Sequence, residues 1–158
     1  MLTLRRSGPS LDLDTALVAS GKRPVMLATL EVPFDDEAAA FAVDAAVECG
    51  QKLIVANVVE IPLGPLCLFM DYGALEPADE DAARLRAPAQ LARDLGVEVE
   101  RLRVRSPHPV DALLELVAER EPGLLVFGPD RSKIKPRAFR RTARKIRSRA
   151  TCLVWLAD

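Results

Sequence analysis

The sequence predicts an α/β domain built on a buried parallel sheet, and three observations predict it. Short, nearly unbroken apolar runs recur at Val25–Leu30, Leu53–Val59, Leu124–Gly128 and Cys152–Leu156. Such runs fit strands covered on both faces. Segments of helical character stand between them, opened by acids or proline and closed by glycine or charge. Finally, aromatics are only 4% of 158 residues while apolar residues reach 49%, so the core is drawn from Ala, Leu and Val. That length corresponds to one domain.

The elements follow in order. Residues 1–24 read as an N-terminal extension, with turn chemistry at Ser7-Gly8-Pro9-Ser10 and Ser20-Gly21-Lys22-Arg23-Pro24. The domain proper is residues 25–158. After the first strand, Asp35-Asp36-Glu37 places carboxylates at a helix start, where the dipole favours them. Ala38–Cys49 continues that helix and Gly50 stops it. The second strand leads to a loop, Ile61–Pro77, with three prolines, two glycines and many apolar residues. Asp79-Glu80-Asp81 starts a second helix that extends to Leu95, and Pro88 is expected to kink or interrupt it. Val97–Val104 alternates apolar and charged residues, as near a sheet edge. Pro109–Arg120 is a third helix with proline in its first turn, and Leu113, Leu114, Leu116 and Val117 are expected to face inward. Arg137–Arg149 is a fourth, with Phe139, Ala143, Ile146 and Ala150 on its buried stripe. Ligands of such sheets bind beyond the carboxyl ends of the strands where the strand order reverses. Here those ends belong to the first and fourth strands.

The formal net charge of −1 conceals an asymmetry. Residues 1–130 hold 12 Lys/Arg against 22 Asp/Glu, whereas residues 131–158 hold ten Lys/Arg against Asp158 alone. All ten lie between Arg131 and Arg149. The block reads either as a solvated helix face balancing an acidic body or as a surface for an anionic partner.

Three segments together resemble the universal stress protein family. Val25–Val32 stands where family members have ILVAVDGS, and Asn57-Val58-Val59-Glu60 stands where their second strand ends in HVVE, with no gap between the two. Ala150-Thr151-Cys152-Leu153-Val154 is similar to the family's Ala-Pro-Cys-Pro-Val before its closing strand. Gly96–Glu100 also looks like the family's third strand. The likeness spans about 130 residues, Val25–Ala157, and leaves out the N-terminal extension. It implies a Rossmann-like, adenine nucleotide alpha hydrolase-like fold. The sheet would have five parallel strands in the order 3-2-1-4-5, with helices on both faces.

ATP-binding members carry Gly-x2-Gly-x9-Gly-Ser/Thr after the fourth strand. Glycines let backbone N–H groups approach phosphate oxygens, and the hydroxyl adds a donor at a helix N-terminus. Here Gly128 is present, Arg131 takes the second glycine position, and Arg141-Thr142 takes the last pair. Counting back from Cys152 places Arg140-Arg141 there instead. Leu30 replaces the first-strand aspartate and has no group to bond a ribose hydroxyl. The resemblance thus marks Thr29, Leu30, Val58, Gly128, Arg131, Arg141 and Thr142 as degenerate nucleotide-site positions. Two readings follow. Either ATP binding is lost, with Arg131 and Arg141 filling the triphosphate's space, or the arginines themselves bind a phosphate-bearing ligand.

Nothing else indicates an enzyme. His108 lies between two prolines without a partner, and no nucleophile-elbow or zinc-protease spacing occurs. Cys49, Cys67 and Cys152 form no CxxC pair, so neither a metal site nor a redox motif is expected. Cys152 reads as a small core residue. Asp79-Glu80-Asp81 lacks the partners of a metal site. Leu11–Ser20 contains Asp12 and Asp14, unlike a secretory signal, and a cytoplasmic location is expected. The resemblance implies a homodimer through the edge strand Cys152–Leu156. The apolar loop Ile61–Tyr72 reads as a protein-partner surface or as a plug over the ligand end. Phosphate-backbone attraction to a polyanion would be non-specific and salt-sensitive. The leading expectation is a stress-response or regulatory protein without ATP, acting through dimerisation and protein contacts. The alternative is a nucleotide- or phosphate-binding module using residues 131–149.

Overall fold

The computed structural model describes residues 23–62 and 77–157. Five strands alternate with four helices: β1 (Val25–Leu30), α1 (Asp36–Cys49), β2 (Leu53–Glu60), α2 (Asp79–Asp94), β3 (Val99–Ser106), α3 (Pro109–Arg120), β4 (Leu124–Phe127), α4 (Pro136–Arg149) and β5 (Leu153–Leu156). A single 3₁₀ turn, Arg131–Lys133, precedes α4. All strand pairs are parallel and the order is β3-β2-β1-β4-β5. The order reverses between β1 and β4, as the sequence implies. The extension through residue 22 and most of the apolar loop, with Cys67, lie outside the described residues.

Strand β1 is central and completely buried from Val25 to Ala28. Its side chains alternate between two cores, one on each sheet face. Leu27 joins Val55, Val126 and Trp155 beneath α1 and α2, where Phe41 stacks on Trp155 with ring centroids 4.9 Å apart. Met26 and Ala28 join Ile54, Leu125 and Val154 beneath α3 and α4. The stripe Phe139, Ala143, Ile146 and Ala150 is buried there as its spacing predicts, and Cys152 with it. Burial pushes the Cys152 thiol pKa up to about 11. That is a core residue without thiolate reactivity near neutral pH. Leu113, Leu116 and Val117 are also buried, while Leu114 packs against the same core only partly covered.

Helix α1 begins as its acids predict. The Asp35 carboxylate accepts from the Ala38 N–H at 3.0 Å, and Gly50 closes the helix with φ of 62°. Two expectations need correction. Helix α2 runs unbroken through Pro88. The proline ring lies on the buried face with Leu85, Ala89 and Ala92, and this packing outweighs one forfeited backbone bond. Strand β3 starts at Val99, not Val97, because the Val97 N–H is held by the Ala92 carbonyl at the end of α2.

Gly128, just past β4, is a packing requirement. A Cβ there would overlap the Cβ of Ala38 on α1. Gly128→Ala is therefore expected to destabilise the fold by on the order of 1–3 kcal/mol in denaturant unfolding. Adding Ala38→Gly should recover part of the loss, and no recovery would refute the overlap as its cause.

Candidate functional site

Two chain segments leave the sheet at the reversal of strand order, residues 31–35 after β1 and residues 128–133 after β4. They are bonded to each other. The Asp35 N–H donates to the Gly128 carbonyl at 2.9 Å, and the Asp130 N–H donates to the Pro33 carbonyl at 2.8 Å. Arg84 of α2 reaches over both, donating to Asp130 Oδ2 at 2.8 Å and to the Phe34 carbonyl at 3.1 Å. The second Asp130 oxygen accepts from the Ser132 N–H at 3.0 Å and its hydroxyl at 2.7 Å. The Ser132 hydroxyl and Arg84 hold the Asp130 carboxyl below the usual range, against the opposing effect of burial.

The loop after β4 therefore uses its own backbone donors. Gly128 N–H donates to Ala28, Asp130 to Pro33, Ser132 to the Asp130 side chain and Lys133 to the Asp130 carbonyl. A glycine-rich phosphate loop works by leaving such N–H groups directed at the ligand.

Beside this loop, on the α3/α4 side, lies a cavity of about 500 Å³. Leu30, Val110, Phe127, Ile134 and Phe139 supply apolar lining. Glu31 and Glu60 form an acidic rim, and Lys133, Arg141 and Lys145 a basic one, with Thr142 between. Glu31 has a φ of 62°, in the left-handed region, at a cost of about 1–2 kcal/mol. It stands where the resembling motif has glycine. Its carboxylate is fastened by the Glu60 N–H at 3.0 Å. On the basic rim, Lys133 is paired with Asp81 at 2.6 Å and Lys145 with Asp111 at 2.8 Å. Arg149 shares Asp111, whose carboxyl is held below the usual range first by the Lys145 hydrogen bond. Part of the basic block thus balances acids of α2 and α3. Arg141 has no ion-pair partner among the described residues. The N-terminus of α4 has no side-chain cap, and Ala138 of its first turn faces the cavity.

Of the seven positions marked from sequence, Leu30, Arg141 and Thr142 line this cavity. Thr29 is fully buried, and its hydroxyl donates to the Val32 carbonyl at 2.9 Å. Val58 is buried beside Leu30 in the sheet, and Gly128 is pressed against α1. Arg131, which one of the two readings had filling the ligand space, is not among the residues that line this cavity. Its guanidinium lies 3.7 Å over the Phe139 ring and donates to the Ala157 carbonyl at 3.2 Å. Sequence reasoning missed Glu31, Glu60, Lys133 and Lys145. A usable signal existed for α4: Ala138, Arg141, Thr142 and Lys145 share one helical face beside the buried stripe. For Glu31 no local signal existed. Among the described residues, no group of three metal-ligating side chains converges, and no helix is long and apolar enough to cross a membrane.

The family model described as "Universal stress protein family" matches residues 22–157. A universal stress protein solved in complex with cAMP is 23% identical, with a TM-score of 0.58 over 87% of this chain and 98% of its own. One from Archaeoglobus fulgidus in complex with dAMP is 20% identical, with a TM-score of 0.54 over 86% and 98%. One from Arabidopsis thaliana with AMP bound is 18% identical, with a TM-score of 0.53 over 85% and 90%. At such identities the likeness establishes the fold. No curated protein sequence matches the chain.

The Arg84–Asp130 clamp predicts a pH effect. A carboxyl whose folded pKa is depressed contributes stability above its unfolded pKa and loses it as pH falls through the folded value. Acidification below the ordinary carboxylate range should therefore weaken the fold. Asp130→Asn should flatten that part of the stability–pH curve, and a curve of unchanged slope would count against the clamp.

Proposed function

The chain belongs to the universal stress protein family, and from that premise we propose that it is a non-catalytic regulatory module whose cavity takes a nucleoside monophosphate or similar single-phosphate ligand, not ATP. One observation carries this reading. The cavity presents an arginine with no ion-pair partner among the described residues and an uncapped helix start, while the loop beside it has already committed the backbone N–H groups of Gly128, Asp130, Ser132 and Lys133 within the protein, leaving only that of Arg131 for a phosphate chain. Arg141 supplies a planar fork for one phosphate, and Thr142 adds a hydroxyl. The apolar lining is suited to a flat base. Three structural relatives contain cAMP, dAMP and AMP, each with one phosphate. Leu30 offers a ribose nothing, whereas the Glu31 and Glu60 carboxylates on the same rim are acceptors.

A second reading concerns assembly. Strand β5 pairs only with β4, so its outer backbone edge is open among the described residues. A second copy related by a two-fold axis would cover it. The proposed output of ligand binding is a change in contacts made by such a dimer in the cytoplasm.

Calorimetric titration and thermal melts test the ligand. AMP or cAMP should bind and raise the melting temperature, and ATP should bind at least about tenfold more weakly, a difference near 1.4 kcal/mol. Arg141→Gln should weaken AMP by a similar factor. ATP binding tighter than AMP would overturn the single-phosphate reading. Absence of any nucleotide effect would leave protein contacts alone as the function. Sizing at micromolar concentration should give a dimer, and a monomer would refute the edge-strand assembly.

A further inference from the structure

The opposite face of the sheet carries a second cavity that the nucleotide reading does not use. On the α1/α2 side, β2 and β3 run in register with Val55 beside Arg101 and Asn57 beside Arg103. These side chains, with Arg86 of α2, surround a space of about 360 Å³ over a floor that includes Phe34 and Leu85. No acidic side chain among the described residues lines it.

Two features there are unsatisfied. Asn57 Oδ1 is buried and accepts no hydrogen bond from the described residues. Buried polar oxygens of this kind are normally paired, so an unpaired one marks a place where a donor is wanted. Arg86 and Arg101 have no ion-pair partner among the described residues. They are also crowded together. Burial, and then the like charges of Arg93 and Arg86, lower the Arg101 pKa from the ordinary arginine value. An arrangement that concentrates positive charge against itself gains when an anion enters. The sequence context makes it more notable, since residues 1–130 are strongly acidic in total.

We propose that this cavity is a second ligand site, for a small hydroxylated oxyanion. The guanidinium groups of Arg86 and Arg101 hold its carboxylate or phosphate, and the partly exposed Asn57 amide turns about its Cβ–Cγ bond so that Oδ1 meets the cavity and accepts from a ligand hydroxyl. Arginine forks suit planar and tetrahedral oxyanions alike, so the anion alone does not set the choice. The hydroxyl requirement comes from Asn57. A site built to bond a hydroxyl discriminates against the analogue that lacks it, because the buried oxygen is then left unpaired. The site is separated by the sheet from the cavity lined by Arg141, and its occupation does not depend on nucleotide binding.

The test uses the full chain and two pairs of probes: glycerol 3-phosphate against propyl phosphate, and malate against succinate. Calorimetry and amide NMR spectra would be recorded for each. One hydroxylated probe should bind, move the Asn57 side-chain amide signal, and outcompete its hydroxyl-free partner at least fivefold. Whichever pair responds identifies the anion as phosphate or carboxylate. Followed at the Asn57 side-chain amide signal, the double variant Arg86→Gln/Arg101→Gln should lose at least tenfold in affinity, whereas Arg141→Gln should leave the titration of that signal unchanged, whatever it does to phosphate held in the other cavity. Arg101→Lys retains charge and serves if the double variant fails to fold; it should still weaken binding by removing the fork. No heat and no amide shift at millimolar probe would overturn the proposal. Binding lost on Arg141→Gln but kept in the Arg86 and Arg101 variants would overturn it as well. Equal binding of a probe and its hydroxyl-free partner would overturn the role given to Asn57.

Discussion

Burial of β1 on both faces and along both edges is the constraint on which the rest depends. The strand is hydrogen-bonded to β2 on one side and β4 on the other, and its side chains feed two separate cores. Its backbone polar groups are satisfied only within the sheet, and leaving any unpaired there would be costly. Everything at the carboxyl end inherits this rigidity. The chain must leave β1 and β4 in adjacent, diverging segments, and a concavity opens between them. Close approach of α1 above Gly128 and the Arg84–Asp130 clamp hold those segments at fixed separation. The cavity is thus a product of the strand order, and its chemistry comes from what α4 presents to it.

Charge is arranged against that frame in two different ways. Some of the basic block is spent on structure. Lys133 ties the loop after β4 to α2 through Asp81, and Lys145 with Arg149 ties α4 to α3 through Asp111. These pairs are partly exposed and each contributes modestly, of order 0–1 kcal/mol. Their larger effect is to orient the helices that bound the cavity. Arg131 is used differently again, lying flat on Phe139 and capping the carbonyl of Ala157 beyond β5. Arg141 lines the cavity and has no ion-pair partner among the described residues. Basic residues thus serve as strut at Lys133, as lid on an aromatic ring at Arg131 and as cavity lining at Arg141 within eleven positions of sequence. A count of positive charges does not separate these roles. Loss of the glycine pattern has a structural counterpart, because the N–H groups of Gly128, Asp130, Ser132 and Lys133 are bonded within the protein.

Much of the fold was legible before the structure. Continuous apolar runs marked β1, β2, β4 and β5, since a strand buried on both faces has no reason to alternate. The stripe through Phe139, Ala143, Ile146 and Ala150 marked the inner face of α4. Asp35 and Gly50 marked the ends of α1, because capping is a local matter of one side chain and one dihedral angle. Of the seven motif positions, Leu30, Arg141 and Thr142 line the cavity beyond the carboxyl ends of β1 and β4. Where the reading failed, a particular contact had overridden a local rule. Pro88 ought to break a helix, but its ring is buried among the core residues of α2. Val97 reads as part of the third strand, but its N–H is held by the Ala92 carbonyl at the end of α2.

The sequence by itself determined which segments are strands and helices, which faces are buried, and that the phosphate-loop glycines are absent. These are properties of periodicity and residue type over a few neighbouring positions, so they survive without knowledge of the rest of the chain. Only the tertiary structure decided which long polar side chains line a cavity and which meet the rest of the protein. Arg131 and Arg141 sit in one basic run, yet one faces Phe139 and Ala157 and the other faces the cavity. Asn57 and Arg101 are unremarkable alone, and only the register of β2 on β3 and the packing of α2 place them around one space. The physical reason is the same in each case. A long charged side chain has many rotamers of similar energy, and the partner that selects one lies tens of residues away, as Asp81 does for Lys133 and Arg84 for Asp130.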